Sequence, residues 1–307
     1  MNILKRCFNS FSGRLKSSYR KLMRAFNTVY EHLYKEEGSI IINAWVEYRF
    51  GKLLHRNWGD ELNVYMLENL THSKVRVSSD IYQSNEDNYA VIGSIIEEVV
   101  NPKCIIWGSG AMYGNNYKLK CKPKKVCAVR GKKTREYLLS QGVECPEIYG
   151  DPALLLPLIY NREVPRKYEM GIIAHINDFK NPLYQRILLQ NPEKVCVIDL
   201  KNYSEWTEII DMIRSCEFIL SSSLHGLIVS DAYEIPNIWL RSSVELAGGD
   251  FKFYDYFSGV NRQTNITPLV LTQSHDIASL RAIARDYKPI QYDNTQLLNS
   301  CPFKISW

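Results

Sequence analysis

One histidine and three serines stand between two apolar patterns in the segment FILSSSLHGLIVSDAYEIPNIW, residues 218–239. Phe218, Ile219 and Leu220 read as a short buried strand, and Leu224, Leu227, Ile228 and Tyr233 recur at helical spacing. Ser221, Ser222, Ser223 and His225 therefore fall in a strand-to-helix turn, where an open α/β sheet presents ligand groups. The free N–H groups and positive end of the new helix favour a phosphate or carboxylate, and an imidazole there exchanges protons near neutral pH. A purely structural arrangement fits the same residues, with Ser222 or Ser223 capping the helix and His225 a hydrogen-bonded surface side chain. Arg130 is the second candidate. It follows the strand-like KKVCAV and precedes a helix opened by Thr134, so its guanidinium belongs at the carboxyl edge of a sheet. A planar fork there suits a carboxylate or phosphate, or else a surface ion pair with a neighbouring helix.

The elements that must position these groups are legible along the chain. A strand is expected from residue 40 to 45, then a loop with Asn57, Trp58, Gly59 and Asp60, then a helix over 61–70. Asp60 would cap that helix and Gly59 would permit the tight turn before it. Strand-like runs at 90–93, 104–107 and 125–129 end in GSI, GSGA and RGKK. The GSG at 108–110, with Gly108 and Ser109, would let backbone approach a ligand, but it is too short for a dinucleotide fingerprint. YGDPALLLP, 149–157, reads as a short strand, a Gly-Asp turn and a proline-bounded exit, followed by a polar linker at 161–167. The second half repeats the logic. A strand at 171–176 ends near His175, Asn177 and Asp178, another spans 195–200, a helix spans 205–216, and a strand spans 237–240. GGDFKFYDYF, 248–257, adds two glycines, Lys252 and many aromatics. Strands alternating with helices predict an α/β, doubly wound parallel architecture.

Composition excludes several classes. The chain has 307 residues, enough for two domains, and 45% hydrophobic with 23% charged residues is ordinary for a globular protein. Its 8 cysteines form no CxxC pair, so neither a zinc site nor a disulfide framework is suggested, and reduced cytoplasmic thiols are the default. Of the net charge of +5, the first thirty residues alone supply seven basic groups and no acid, which leaves the remainder slightly acidic. That body does not look like a nucleic-acid surface. No stretch reaches the roughly 18 to 20 apolar residues of a membrane span. Leu4, Phe8, Phe11, Leu15, Tyr19, Leu22, Phe26, Val29 and Leu33 make one helical stripe flanked by Lys and Arg. Such a helix either lies on an anionic cytoplasmic leaflet or packs on protein. Asp-x-Asp, P-loop and G-x-S-x-G motifs are absent, and no carboxylate cluster calls for a metal.

Taken together and in order, NWGDELN, WGSG, AVRGKKTREYLL, YGDPALLLP, IAHIND, SSSLHGLIVSDAYEIPNIW and FKFYDYF resemble the polysaccharide pyruvyl transferase family over roughly residues 55–260. The resemblance implies two Rossmann-like domains facing across a cleft, GT-B-like. Residues 1–37 would be the basic helical segment, 38–165 the first domain, 166–289 the second, and 290–307 a tail packing back on the body. It implies transfer of the enolpyruvyl carbons of phosphoenolpyruvate onto two hydroxyls of a sugar, forming a pyruvate ketal and releasing phosphate. The acceptor would be a cell-surface polysaccharide or its lipid-linked precursor, and the donor substrate, not a cofactor, carries the chemistry. The family's catalytic histidine corresponds to His225 and its phosphoenolpyruvate-binding arginine to Arg130. Many relatives have an arginine where this chain has Ser223, so anion binding would draw on Ser222, Ser223, Lys252 or Arg241. Asn57, Asp60 and His175 would complete the cleft. A GT-B glycosyltransferase using a nucleotide sugar shares this architecture, and a non-enzymatic glycan-assembly protein working through its N-terminal helix is the third reading.

Overall fold

The computed structural model describes residues 37–49, 52–54, 57–77, 86–262 and 266–306, with Leu22 and Val29. The basic stripe expected over residues 1–36 otherwise lies outside the described residues. The first half runs β1 (Ile40–Ile42), the antiparallel hairpin β2 (Glu47–Arg49) and β3 (Lys52–Leu54), α1 (Trp58–Thr71), β4 (Val75–Val77), β5 (Asn88–Ala90) and α2 (Ile96–Val99). It continues through β6 (Cys104–Trp107), β7 (Lys125–Ala128), α3 (Lys132–Ser140) and α4 (Leu156–Ile159). The second half runs β8 (Tyr168–Ile173), α5 (Pro182–Gln190), β9 (Val195–Val197), α6 (Trp206–Arg214), β10 (Cys216–Ser221), α7 (Leu224–Ala232) and β11 (Asn237–Trp239). The helices α8 (Phe251–Gly259), α9 (Ile277–Ala284) and α10 (Thr295–Asn299) follow.

Five strands form one sheet in the order β4-β1-β5-β6-β7, and four form another in the order β11-β10-β8-β9; every pairing in both is parallel. The continuous apolar runs III, CIIW and FIL are buried, as parallel strands covered by helices on both faces require. The parallel α/β class read from the sequence therefore holds. Several local expectations do not. The first strand stops at Ile42, and 149–157 forms no strand beyond a single bridge between Val129 and Tyr149, because Asp151 accepts a hydrogen bond from Ala153 N and turns Pro152–Leu155 into a 3₁₀ turn. The aromatic segment at 248–257, which the sequence reading gave no element, supplies most of helix α8.

The two halves share one apolar core, in which Ile42, Trp58 and Leu155 join Ile173, Leu227 and Phe257. The 3₁₀ turn packs on α7. Each such buried side chain contributes about 1.5–3 kcal/mol, so the halves are bound by more than a linker. Helix α8 follows the second sheet but packs on α3 of the first half, where Lys132 N donates to Ser258 Oγ at 3.0 Å. Gly259 fits closely there: a Cβ would stand 3.0 Å from Gly131 Cα. The C-terminal residues also lie on the first half. Trp107 Nε1 donates to Leu297 O at 3.0 Å, and the Phe303 ring centroid is 4.5 Å from that of Tyr89. No described helix is long and apolar enough to cross a membrane.

Candidate functional site

All strands of the first sheet point the same way, so Gly93, Gly108 and Arg130 emerge together at its carboxyl edge; His175, Ser222 and Arg241 emerge at that of the second. Helix α1 links the two edges. Its Trp58 N donates to Leu200 O at 2.9 Å beyond β9, and its first turn lies against the head of α7.

His225 is the second residue of α7 and is 8% exposed. It is no surface histidine, and its Nε2 is buried without a hydrogen-bond partner among the described residues. Burial, and then the positive charges of Lys252 and Arg130, push the imidazole pKa down to about 3, so the ring is neutral at pH 7. Gly59 explains how the ring is held. Helix α1 begins at Trp58 with Asn57 as its N-cap, so Gly59 is helical rather than a turn residue. A Cβ on it would stand 2.5 Å from Cγ of His225 and closer still to Nδ1. Only the bare Cα leaves room for the imidazole.

Asp60 is likewise inside the helix and not its cap. Its Oδ2 accepts from Asn57 Nδ2 at 2.7 Å. Burial raises its pKa to about 7, against the lowering pull of Asn57 and Lys252. Lys252, on the first turn of α8, makes no hydrogen bond or ion pair among the described residues; its ammonium stands 5.5 Å from the Phe253 ring centroid. Burial and the nearby Arg130 charge bring its pKa down to about 8, with Asp60 opposing. These fields act mutually, so Asp60, Lys252, Arg130 and His225 form one electrostatic cluster built from both halves.

Arg130 differs from both readings drawn from sequence. Its side chain is 0% exposed. Nε donates to Asp255 Oδ2 at 2.8 Å, Nη1 to Ser94 Oγ, and Nη2 to Ala111 O at 2.8 Å. The ion pair is therefore deep, and its partner comes from α8. Asp255 also accepts from Thr134 N and Oγ1, both at 2.7 Å, clamping the head of α3. Gly110 lies flat on the guanidinium: a Cβ there would be 2.5 Å from Arg130 Nε. Gly108, at φ +90°, accommodates Pro152 in the same way. The small residues of the GSG turn thus admit protein groups. Ser109 Oγ and Asp151 Oδ2 are buried without partners beside this arginine.

The serines divide their work. Ser223 is the N-cap of α7 but makes no side-chain cap bond; Ser221 Oγ instead accepts from Ser223 N at 3.1 Å. Ser222 Oγ accepts from His175 N at 2.9 Å and faces Asp178, which also receives Tyr184 OH and Ser243 Oγ. Ser222 thereby fixes the backbone under His175, whose imidazole is pushed down to about pKa 4, first by burial and then by Lys252. Arg241 stands apart. It pairs with Asp250 at 2.8 Å and lines a pocket of about 240 Å³ with Ser242, Ser243 and Glu245.

Asp255, Ser94 and Gly59 escaped the sequence reading as site residues. The available signal for Asp255 was its place three residues after Lys252 on one helical face. Nothing in the sequence alone pairs it with Arg130.

The family model for polysaccharide pyruvyl transferases matches residues 2–243. The chain belongs to this family. As a family member it is 32% identical over 213 residues to an uncharacterized protein of Acanthamoeba polyphaga mimivirus, a match covering 67% of this chain and 72% of that one. It is 26% identical over 209 residues to the succinoglycan biosynthesis protein ExoV of Rhizobium meliloti, covering 66% of this chain and 61% of that protein. The pyruvyl transferase match includes every residue of the cluster on the first half and His225, and ends before Lys252 and Asp255.

Proposed function

We propose that the chain transfers the enolpyruvyl group of phosphoenolpyruvate onto two hydroxyls of a glycan, forming a pyruvate ketal and releasing phosphate. The observation that carries this reading is the buried, unpartnered Nε2 of His225 beside the unpaired ammonium of Lys252. Family membership and the likeness to a succinoglycan biosynthesis protein support the transferase and its polysaccharide setting. In this reading the two sheet edges face each other across a GT-B-like cleft, as the contact of α1 with α7 supports.

The donor carries a carboxylate and a phosphate, so it binds where positive potential is already organised. Lys252 supplies the direct contact, and Arg130, locked by Asp255, supplies a fixed charge behind it. The orphan Ser109 hydroxyl is a further donor. One acceptor hydroxyl loses its proton as its oxygen bonds to the central carbon of the donor, and a proton joins the methylene carbon, which becomes methyl. The second hydroxyl oxygen then bonds to the same carbon as the carbon–phosphate oxygen bond breaks, and its proton leaves with phosphate. A neutral imidazole accepts the first proton and hands it on to the methylene carbon; the incoming anion, by offsetting Lys252 and Arg130, raises the affinity of His225 for it. Asp60, with its pKa raised to about 7, is suited to the second transfer.

The test is phosphate release from phosphoenolpyruvate with the host's glycan fraction as acceptor and mass spectrometry of the product for a ketal. His225→Ala is expected to lower turnover about 10²–10⁴-fold with the donor requirement nearly unchanged. Turnover that depends on a nucleotide sugar, or that survives this substitution, overturns the reading.

A further inference from the structure

We propose that the amino-terminal edge of the first sheet docks on an anionic membrane surface through a row of lysines. The run 118–125 holds Lys118, Lys120, Lys122, Lys124 and Lys125 with no acid among them, and all five are exposed. It approaches β7 from its N-terminal end. Lys103 and Lys74, also exposed, immediately precede β6 and β4, so parallel strand direction gathers these ammonium groups on one edge. Lys122 Nζ reaches the carbonyl of Gly142 and Lys124 pairs with Asp87. Among the described residues, Lys103, Lys118, Lys120 and Lys125 make no side-chain hydrogen bond or ion pair. Among the described residues, the acids at this edge include Glu37, Glu68, Glu86, Asp87 and Glu144, fewer than the seven lysines.

Two features select a bilayer as the partner. The chain enters β1 at this same edge, and the first thirty residues of the sequence hold seven basic residues and no acid. Each exposed ammonium group adds its attraction to anionic headgroups, and no geometry finer than charge is needed. The site residues leave the opposite, carboxyl edges of the strands, so docking on this face leaves the cleft open. The attachment is electrostatic and weakens with salt.

The experiment is co-sedimentation of the full chain with vesicles of phosphatidylcholine alone or with about one third phosphatidylglycerol, at low and high salt. The triple variant Lys118→Gln, Lys120→Gln, Lys125→Gln retains residues 1–36 and is expected to partition more than tenfold less onto the anionic vesicles at low salt. Its thermal unfolding and its phosphate-release rate on a soluble acceptor stay those of the parent, which separates this proposal from the assignment of the chemistry. Equal partitioning of parent and variant overturns it, as does equal binding to phosphatidylcholine alone. Lysine-dependent retention on heparin without lysine-dependent vesicle binding assigns the row to a soluble polyanion and also overturns it.

Discussion

Gly59→Ala tests whether the imidazole of His225 must sit where it does. At an ordinary helical position this change stabilises by up to about 1 kcal/mol, since alanine is the better helix former. Here the added carbon would stand 2.5 Å from Cγ and 2.9 Å from Cβ of His225. Carbon atoms settle at about 3.5–4.0 Å, so ring and helix must separate by about 1 Å. Overpacking of this kind costs about 1–3 kcal/mol, and set against the gain in propensity it leaves a net loss of about 2 kcal/mol or less. Trp58, Leu62 and Met66 still anchor α1 in the core, so the protein stays folded. A reacting group misplaced by about 1 Å loses roughly 10²-fold in rate. The assay pairs the rate of phosphate release with thermal unfolding followed by circular dichroism. A variant of ordinary stability and undiminished turnover would refute the argument, because it would mean that the ring's contact with Gly59 has no part in the chemistry.

Replacing Lys252 by Gln is expected to raise the half-saturating phosphoenolpyruvate concentration roughly 10- to 150-fold, the equivalent of one charge-assisted contact of about 1.5–3 kcal/mol, with a smaller effect on turnover; initial-rate kinetics over a donor series decide it. Asp255→Ala leaves the Arg130 guanidinium buried without its counter-charge and is expected to cost about 3–5 kcal/mol, read as a lowered urea midpoint at unchanged slope. His225 should also mark the acid limb of stability. Its folded pKa of about 3 lies below the ordinary histidine value of 6.5, so between those pH values the unfolded chain binds a proton the native ring refuses, and stability falls as pH drops. His225→Gln is expected to flatten that fall in denaturation profiles measured from pH 7 to 4. Asp60, whose raised pKa acts in the opposite direction below pH 7, is retained in both proteins.

The contrast between Arg130 and His225 marks what could be read early. Both were recognisable as polar groups at strand exits, because apolar runs of strand length followed by a small or polar turn are local patterns. Whether a polar group at such an exit is free or committed is not local. Arg130 is held by Asp255, 125 residues away in sequence, whereas His225 Nε2 meets no hydrogen-bond partner among the described residues. Gly59 illustrates the same gap. A glycine between tryptophan and aspartate reads naturally as a turn, yet here it is helical and is required by an imidazole 166 positions later.

By itself, then, the sequence determined the parallel α/β class, the strand exits at which chemistry is presented, and a motif series that fits one family. Those properties follow from periodicity and turn chemistry within a few residues. Tertiary structure alone decided that α8 returns to the first half, that its Lys252 remains an unpaired cation while its Asp255 neutralises Arg130, and that burial holds His225 neutral and Asp60 near its midpoint. Pairing and desolvation are sums over neighbours brought together by the fold, and those neighbours come from segments no local pattern connects.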